Sequence, residues 1–121
     1  MMEINILGTD YIVDFVKEKD KFMIEEECIG YCDYANKTIV VLENETEQHT
    51  LRHEIIHAYM FESGIQFGTE FHNELCVDWM ATQLPKINIT LNNFSAPSAS
   101  VDMQDLLKYV QKAYGVQNNE L

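Results

Sequence analysis

Along the first third of the chain, apolar and polar positions alternate with a period of two. Ile4 and Ile6 alternate with Asn5 and Leu7, and Tyr11-Ile12-Val13-Asp14-Phe15-Val16 follows the turn signal Gly8-Thr9-Asp10, which predicts a hairpin. The charged stretch 17–21 reads as a polar connection. Ile29-Gly30-Tyr31-Cys32-Asp33-Tyr34 and Lys37-Thr38-Ile39-Val40-Val41-Leu42 then pair across a turn at Ala35-Asn36. The expected product is a small, mainly antiparallel sheet of about four strands within residues 2–42.

Beyond Leu42 the apolar period lengthens to about 3.6 residues. Asn44 and Glu47 offer the side chains of a capping box, and Leu51, Ile55, Ala58 and Tyr59 recur at helical spacing until Ser63-Gly64, where glycine suits a left-handed terminus. This predicts a helix over about 45–63. A second helix is expected over about 70–84, capped by Thr69, running through Phe71, Leu75, Cys76, Trp79 and Met80, and stopped by Pro85. Its apolar face, with Phe71 and Trp79 as core residues, should cover the first. Residues 86–100 are rich in Asn, Ser, Ala and Pro and read as loop or extended chain, and 101–114 reads as a terminal helix closed by Gly115. The fold class is α+β: the sheet packed on the 45–63 helix and two further helices, in one domain of 121 residues.

The chemistry is concentrated in His53-Glu54-Ile55-Ile56-His57, an HExxH pattern in the middle of the first predicted helix. Histidines four residues apart share a helical face, so two imidazole nitrogens can converge on one cation, with Glu54 beside them as a general base for a metal-bound water. A catalytic zinc site needs a third protein ligand. The extended pattern with a third histidine would place it at position 63, which is serine, so a downstream acid is expected. The second helix offers Glu70, His72, Glu74 and Asp78. Glu74 is the choice, because its side chain can span a helix–helix gap while Asp78, one turn on, accepts an imidazole N–H. His72 is the alternative ligand, and Glu70 lies too near the helix start. His49, one turn before His53, reads as a solvated histidine. Tyr31, Tyr34 and Tyr59 are candidates to hydrogen-bond an oxyanion, with nothing to choose among them.

The stretch Thr50-Leu51-Arg52-His53-Glu54-Ile55-Ile56-His57-Ala58 resembles the active-site helix of the ImmA/IrrE-like zinc metallopeptidases of phages and mobile elements, within the zincin superfamily. Glu74-Leu75-Cys76-Val77-Asp78-Trp79-Met80-Ala81, followed by Pro85, resembles that family's second block, and the strand pair before the helix extends the likeness over roughly 28–85. Val77, Asp78 and Met80 depart from the family's usual Ala, Asn and Phe. The resemblance implies a minimal zincin-like metallopeptidase with zinc on His53, His57 and Glu74, peptide-bond hydrolysis assisted by Glu54, and a protein or peptide substrate of the repressor-type regulator kind. For a phage-encoded chain it implies action in the host cytoplasm.

Charge narrows the partners. Twenty acidic residues against eight basic give a net charge of −12, which repels a phosphate backbone, so no direct nucleic-acid contact is expected. Apolar residues make up 46% of the chain, enough for a packed core. Cys28, Cys32 and Cys76 are an odd number without a disulfide pattern and are read as free thiols in a reducing compartment. The first residues lack the basic and long apolar regions of a signal peptide, and no run approaches the roughly 18–20 apolar residues of a membrane span, so a cytoplasmic monomer is expected. Two readings compete with the enzyme: a non-catalytic metal-containing binding protein that docks its acidic surface on a basic partner, and an acidic mimic of nucleic acid, which rests on charge alone.

Overall fold

The structure is a computed structural model that describes residues 1–94 together with Lys108 and Lys112. The first two strands, β1 (Met2–Ile6) and β2 (Thr9–Val16), are joined by Leu7-Gly8, both at positive φ (51° and 91°), the two-residue turn whose twist matches that of antiparallel strands. The turn therefore lies one residue earlier than expected, with Thr9 and Asp10 inside β2. Asn5 holds it, accepting the Gly8 N–H at 3.0 Å and donating to Asp10 at 2.8 Å.

The segment expected as a plain polar connection contains a short helix, α1 (Lys21–Glu26). Asp20 caps it by accepting the Met23 N–H at 2.9 Å, and the chain leaves through Glu27 at φ 54°. Strands β3 (Gly30–Asp33) and β4 (Thr38–Leu42) form the second antiparallel pair, with Gly30 opposite Val41 and Asp33 opposite Thr38. The sheet order is β1-β2-β4-β3, and β2 runs parallel to β4, Ile12 opposite Thr38 and Val16 opposite Leu42. Two of the three pairings are antiparallel, so the fold is α+β with a mostly antiparallel four-stranded sheet, as the alternation predicted.

Helix α2 (Glu47–Glu62) lies against β1, β3 and β4. The alternating residues Tyr11 and Val13 of β2 and Ile39 and Val41 of β4 join Ile6 and Ala58 in the buried core, and Leu51 and Ile55 pack on it. Full burial of side chains of this size contributes about 1.5–3 kcal/mol each. The expected capping box does not form: Asn44 Oδ1 instead accepts the Thr46 N–H and hydroxyl at 2.9 Å, a local turn that delays the helix to Glu47. The C-terminus follows the expectation, with Gly64 at φ 96° and the Ile65 N–H returning to Met60 O at 2.9 Å.

The third helix, α3 (Glu74–Phe94), corrects three expectations. It starts later than residue 70, because Asn73 rather than Thr69 is the cap: Asn73 Oδ1 accepts the Cys76 N–H at 3.0 Å, while Thr69 Oγ1 is used by the His72 N–H. It does not stop at Pro85, so 86–94 is helix and not loop. Proline cannot donate to the carbonyl four residues back, which is that of the fully buried Ala81, and there Arg52 of α2 supplies the missing donor, Nε to O 2.8 Å. Third, Phe71 and Trp79 are not core residues but 69% and 57% exposed; the buried stripe of α3 is Val77 and Ala81, small enough for the Arg52 contact. Of the terminal helix expected over 101–114, Lys108 and Lys112 are described and are helical, and the rest lies outside the described residues. The chain divides into two compact units, Met1–Gln83 and Leu84–Leu121, and the candidate centre described below lies in the first. Among the described residues, no helix is long and apolar enough to cross a membrane.

Candidate metal centre

On α2 the buried positions are Thr50, Glu54, His57 and Ala58, so the stripe that meets the sheet is polar at three of four places. Gly30 of β3 makes that approach feasible: a Cβ there would collide with Thr50 Cγ2 and sit 3.2 Å from Val40 O and 3.5 Å from Glu54 Oε2. The helix thus brings Glu54 in beside an edge strand. Its neighbours His53 and His57 face a cavity of about 650 Å³ that Glu54, Gly30, Tyr31, Tyr34, Phe67 and Glu74 also line.

Glu74, the first residue of α3, closes the site. Its Oε2 lies 3.0 Å from His53 Nε2 and its Oε1 3.0 Å from His57 Nε2, while the two nitrogens are 3.2 Å apart. This triangle of two imidazole nitrogens and a carboxylate could hold a metal ion. Its edges are close to the roughly 3.3 Å that separates neighbouring ligand atoms in a tetrahedral shell with bonds of about 2.0–2.1 Å. The three residues chosen from the sequence are therefore brought together. The first turn of α3 also favours a negative charge at Glu74.

Behind the triangle, Asp78 Oδ1 lies 3.4 Å from His53 Nδ1 and 3.1 Å from His49 Nε2, so Asp78 stands where an acceptor for an imidazole N–H was expected and His49 is not merely solvated. His49, His53 and Asp78 form a second group that could hold an ion, but it shares His53 with the first. His72 is not in the triangle. It is wholly buried behind His57, its Nε2 2.9 Å from His57 Nδ1 and its Nδ1 2.8 Å from Ile65 O. Of the three tyrosines, Tyr31 gives its hydroxyl to Asp20 at 2.6 Å, Tyr34 reaches His72 Nε2 at 3.3 Å, and Tyr59 is half-exposed.

Burial sets the electrostatics. It pushes His57 down to about 4 against the pull of the Glu74 carboxylate, so the ring is neutral near pH 7 and has a lone pair to offer. It pushes Glu54 up to about 8, with the Glu74 charge adding to the rise. Cys32 is pushed up to about 12 by burial and then by Glu54, and Cys28 is also raised, which makes both thiols poor ligands and poor nucleophiles. All three cysteines are free.

The residues missed from the sequence are Gly30, Arg52 and Phe67. The ring of Phe67 stands 5.6 Å from that of His57, beside Gly68 at φ 95°. Pro85 inside an apolar helical pattern was the signal for Arg52, since it leaves a carbonyl to be claimed. Comparison of the chain with protein-family models, curated proteins and solved structures gives no match.

Proposed function

We propose that the chain is a zinc-dependent peptide hydrolase. The observation that carries the reading is the triangle of His53, His57 and Glu74 on an open cavity with Glu54 beside it. Two nitrogens 3.2 Å apart that both face a carboxylate are stabilised by positive charge between them, and two imidazoles with one carboxylate suit zinc. Zinc held there would polarise a substrate carbonyl and acidify water. Burial and the Glu74 charge raise the Glu54 carboxyl to about 8, and a zinc charge beside it would favour the ionised form, which could take the proton of the attacking water and return it to the leaving amine.

Three protein donors with an open side favour catalysis over a closed structural site, which needs a fourth. His72, the residue that would have supplied one, is engaged behind His57 instead. The likeness to ImmA/IrrE-like metallopeptidases makes a repressor-type regulatory protein the substrate class to try first.

The test is elemental analysis of purified protein beside His53→Ala and Glu74→Ala, followed by peptide hydrolysis with Glu54→Gln. One zinc per chain, lost from both of the first variants, is expected. Glu54→Gln should retain zinc and lose about 10²–10⁴-fold in rate. A wild-type chain that takes up no zinc on reconstitution refutes the reading.

A further inference from the structure

A metal-binding imidazole must present a lone pair, and which of its nitrogens does so depends on the hydrogen bond made by the other. At His57 the question is open on composition alone, because the partner behind it is another imidazole, able to donate or to accept. The answer comes from the next link. His72 Nδ1 is 2.8 Å from Ile65 O, and a carbonyl only accepts, so that nitrogen bears the hydrogen. With that hydrogen on Nδ1, the ring nitrogen left to accept is Nε2, 2.9 Å from His57 Nδ1. Two groups reach that nitrogen, His57 Nδ1 at 2.9 Å and the Tyr34 hydroxyl at 3.3 Å, and the nearer, His57 Nδ1, is the donor, which leaves its Nε2 lone pair facing Glu74 Oε1 at 3.0 Å, where a cation is favoured.

We propose that His72 is a positioning residue that fixes the tautomer and orientation of His57 through the chain His57 Nδ1–H to His72 Nε2 and His72 Nδ1–H to Ile65 O. This rests on the zinc-centre reading for its purpose, though not for its geometry. The brace is itself held rigid. His72 N–H reaches Thr69 Oγ1 at 3.1 Å, its carbonyl accepts the Gly68 N–H at 2.7 Å, and the Phe67 ring meets it edge-on with centroids 5.3 Å apart. Because His72 precedes Glu74 by two positions, one short segment delivers both a ligand and the support for the ligand opposite. His53 has a carboxylate, Asp78, behind it, whereas His57 has an imidazole, so the two rings are supported without placing a second carboxylate behind the deeper one.

The test begins on the metal-free wild-type chain, in which long-range ¹H–¹⁵N correlation spectra show which ring nitrogen carries hydrogen. Nδ1–H is expected at both His57 and His72, and Nε2–H at His57 overturns the proposal. Zinc affinity by chelator competition is then compared in His72→Phe, which keeps a ring without nitrogens, and His72→Gln, which keeps one acceptor and one donor. A loss of about 10–100-fold is expected for the phenylalanine, with recovery in the glutamine variant. A folded His72→Phe that binds zinc like the wild type also overturns it. Should His72→Phe fail to fold, the wild-type spectrum and the glutamine variant decide. A wild-type chain with the expected tautomers but no affinity for zinc would refute the hydrolase reading and support the hydrogen-bond assignment.

Discussion

Gly30 shows how one missing side chain sets the position of a carboxylate. It sits in β3 where the helix α2 passes closest, and the contact that a Cβ would make is with the methyl group of Thr50, a β-branched residue with little rotamer freedom. Gly30→Ala should therefore push the helix outward at Glu54, at a cost of about 1–3 kcal/mol in denaturant unfolding. Thr50→Ser removes the offending methyl while retaining the hydroxyl that bonds Thr46 O at 3.2 Å, so the double variant should recover most of the loss. Equal stability of wild type and Gly30→Ala would show that the approach is looser than the distances imply. The residues that could hold a metal ion were legible in the chain because spacing alone aligns His53 with His57, and reach selects Glu74. Gly30 was not, since its constraint comes from a residue twenty positions away that only the folded sheet brings near.

At the scale of elements, α2 is anchored at its C-terminal end by a single acid. Glu62 accepts from Thr9 Oγ1 at 3.1 Å, Tyr11 Oη at 2.6 Å and Lys37 Nζ at 2.7 Å, joining the helix to β2 and to the turn before β4. The Lys37 bond, then the Tyr11 bond, holds the Glu62 carboxyl below the ordinary carboxylate range. A depressed value in the folded state means stability that is present above the unfolded value and lost as pH falls through the folded one. Glu62→Gln should accordingly be less stable than wild type at neutral pH, with the gap closing as the solution is acidified below the usual carboxylate range. Melting curves across that range check it, and a gap independent of pH would contradict it. Alternation disclosed all four strands, and the 3.6 period disclosed α2. The short α1 escaped because six residues carry too little periodicity, although Asp20 three positions before Met23 was a usable capping signal. The span of α3 was misjudged because proline is read as a stop from local chemistry, whereas here a neighbouring helix repairs the lost bond.

For the whole molecule, the centre joins segments that the sheet alone does not tie together: His53 and His57 ride on α2, while Glu74 opens α3. An ion that binds only when these converge stabilises the folded state by mass action, by about 2.7 kcal/mol when free zinc exceeds its dissociation constant a hundredfold. Calorimetry with and without zinc should show a matching rise in melting temperature that Glu74→Ala abolishes. An unchanged transition would mean that no ion bridges the two helices.

The bond from Arg52 to the carbonyl of Ala81 bears on how such a centre can vary. A main-chain acceptor has no identity to mutate: any small residue at position 81 would present the same oxygen. This one link in the docking of α2 on α3 is therefore recorded only in the guanidinium at position 52 and in the proline that freed the oxygen, two residues outside the His53, His57 and Glu74 group. Replacing Pro85 by alanine would give the oxygen a second suitor from within its own helix, so the penalty for then losing Arg52 should shrink. The pair would drift together or not at all, and a designer who copied only His53, Glu54, His57 and Glu74 would leave out a joint between the two helices that carry them.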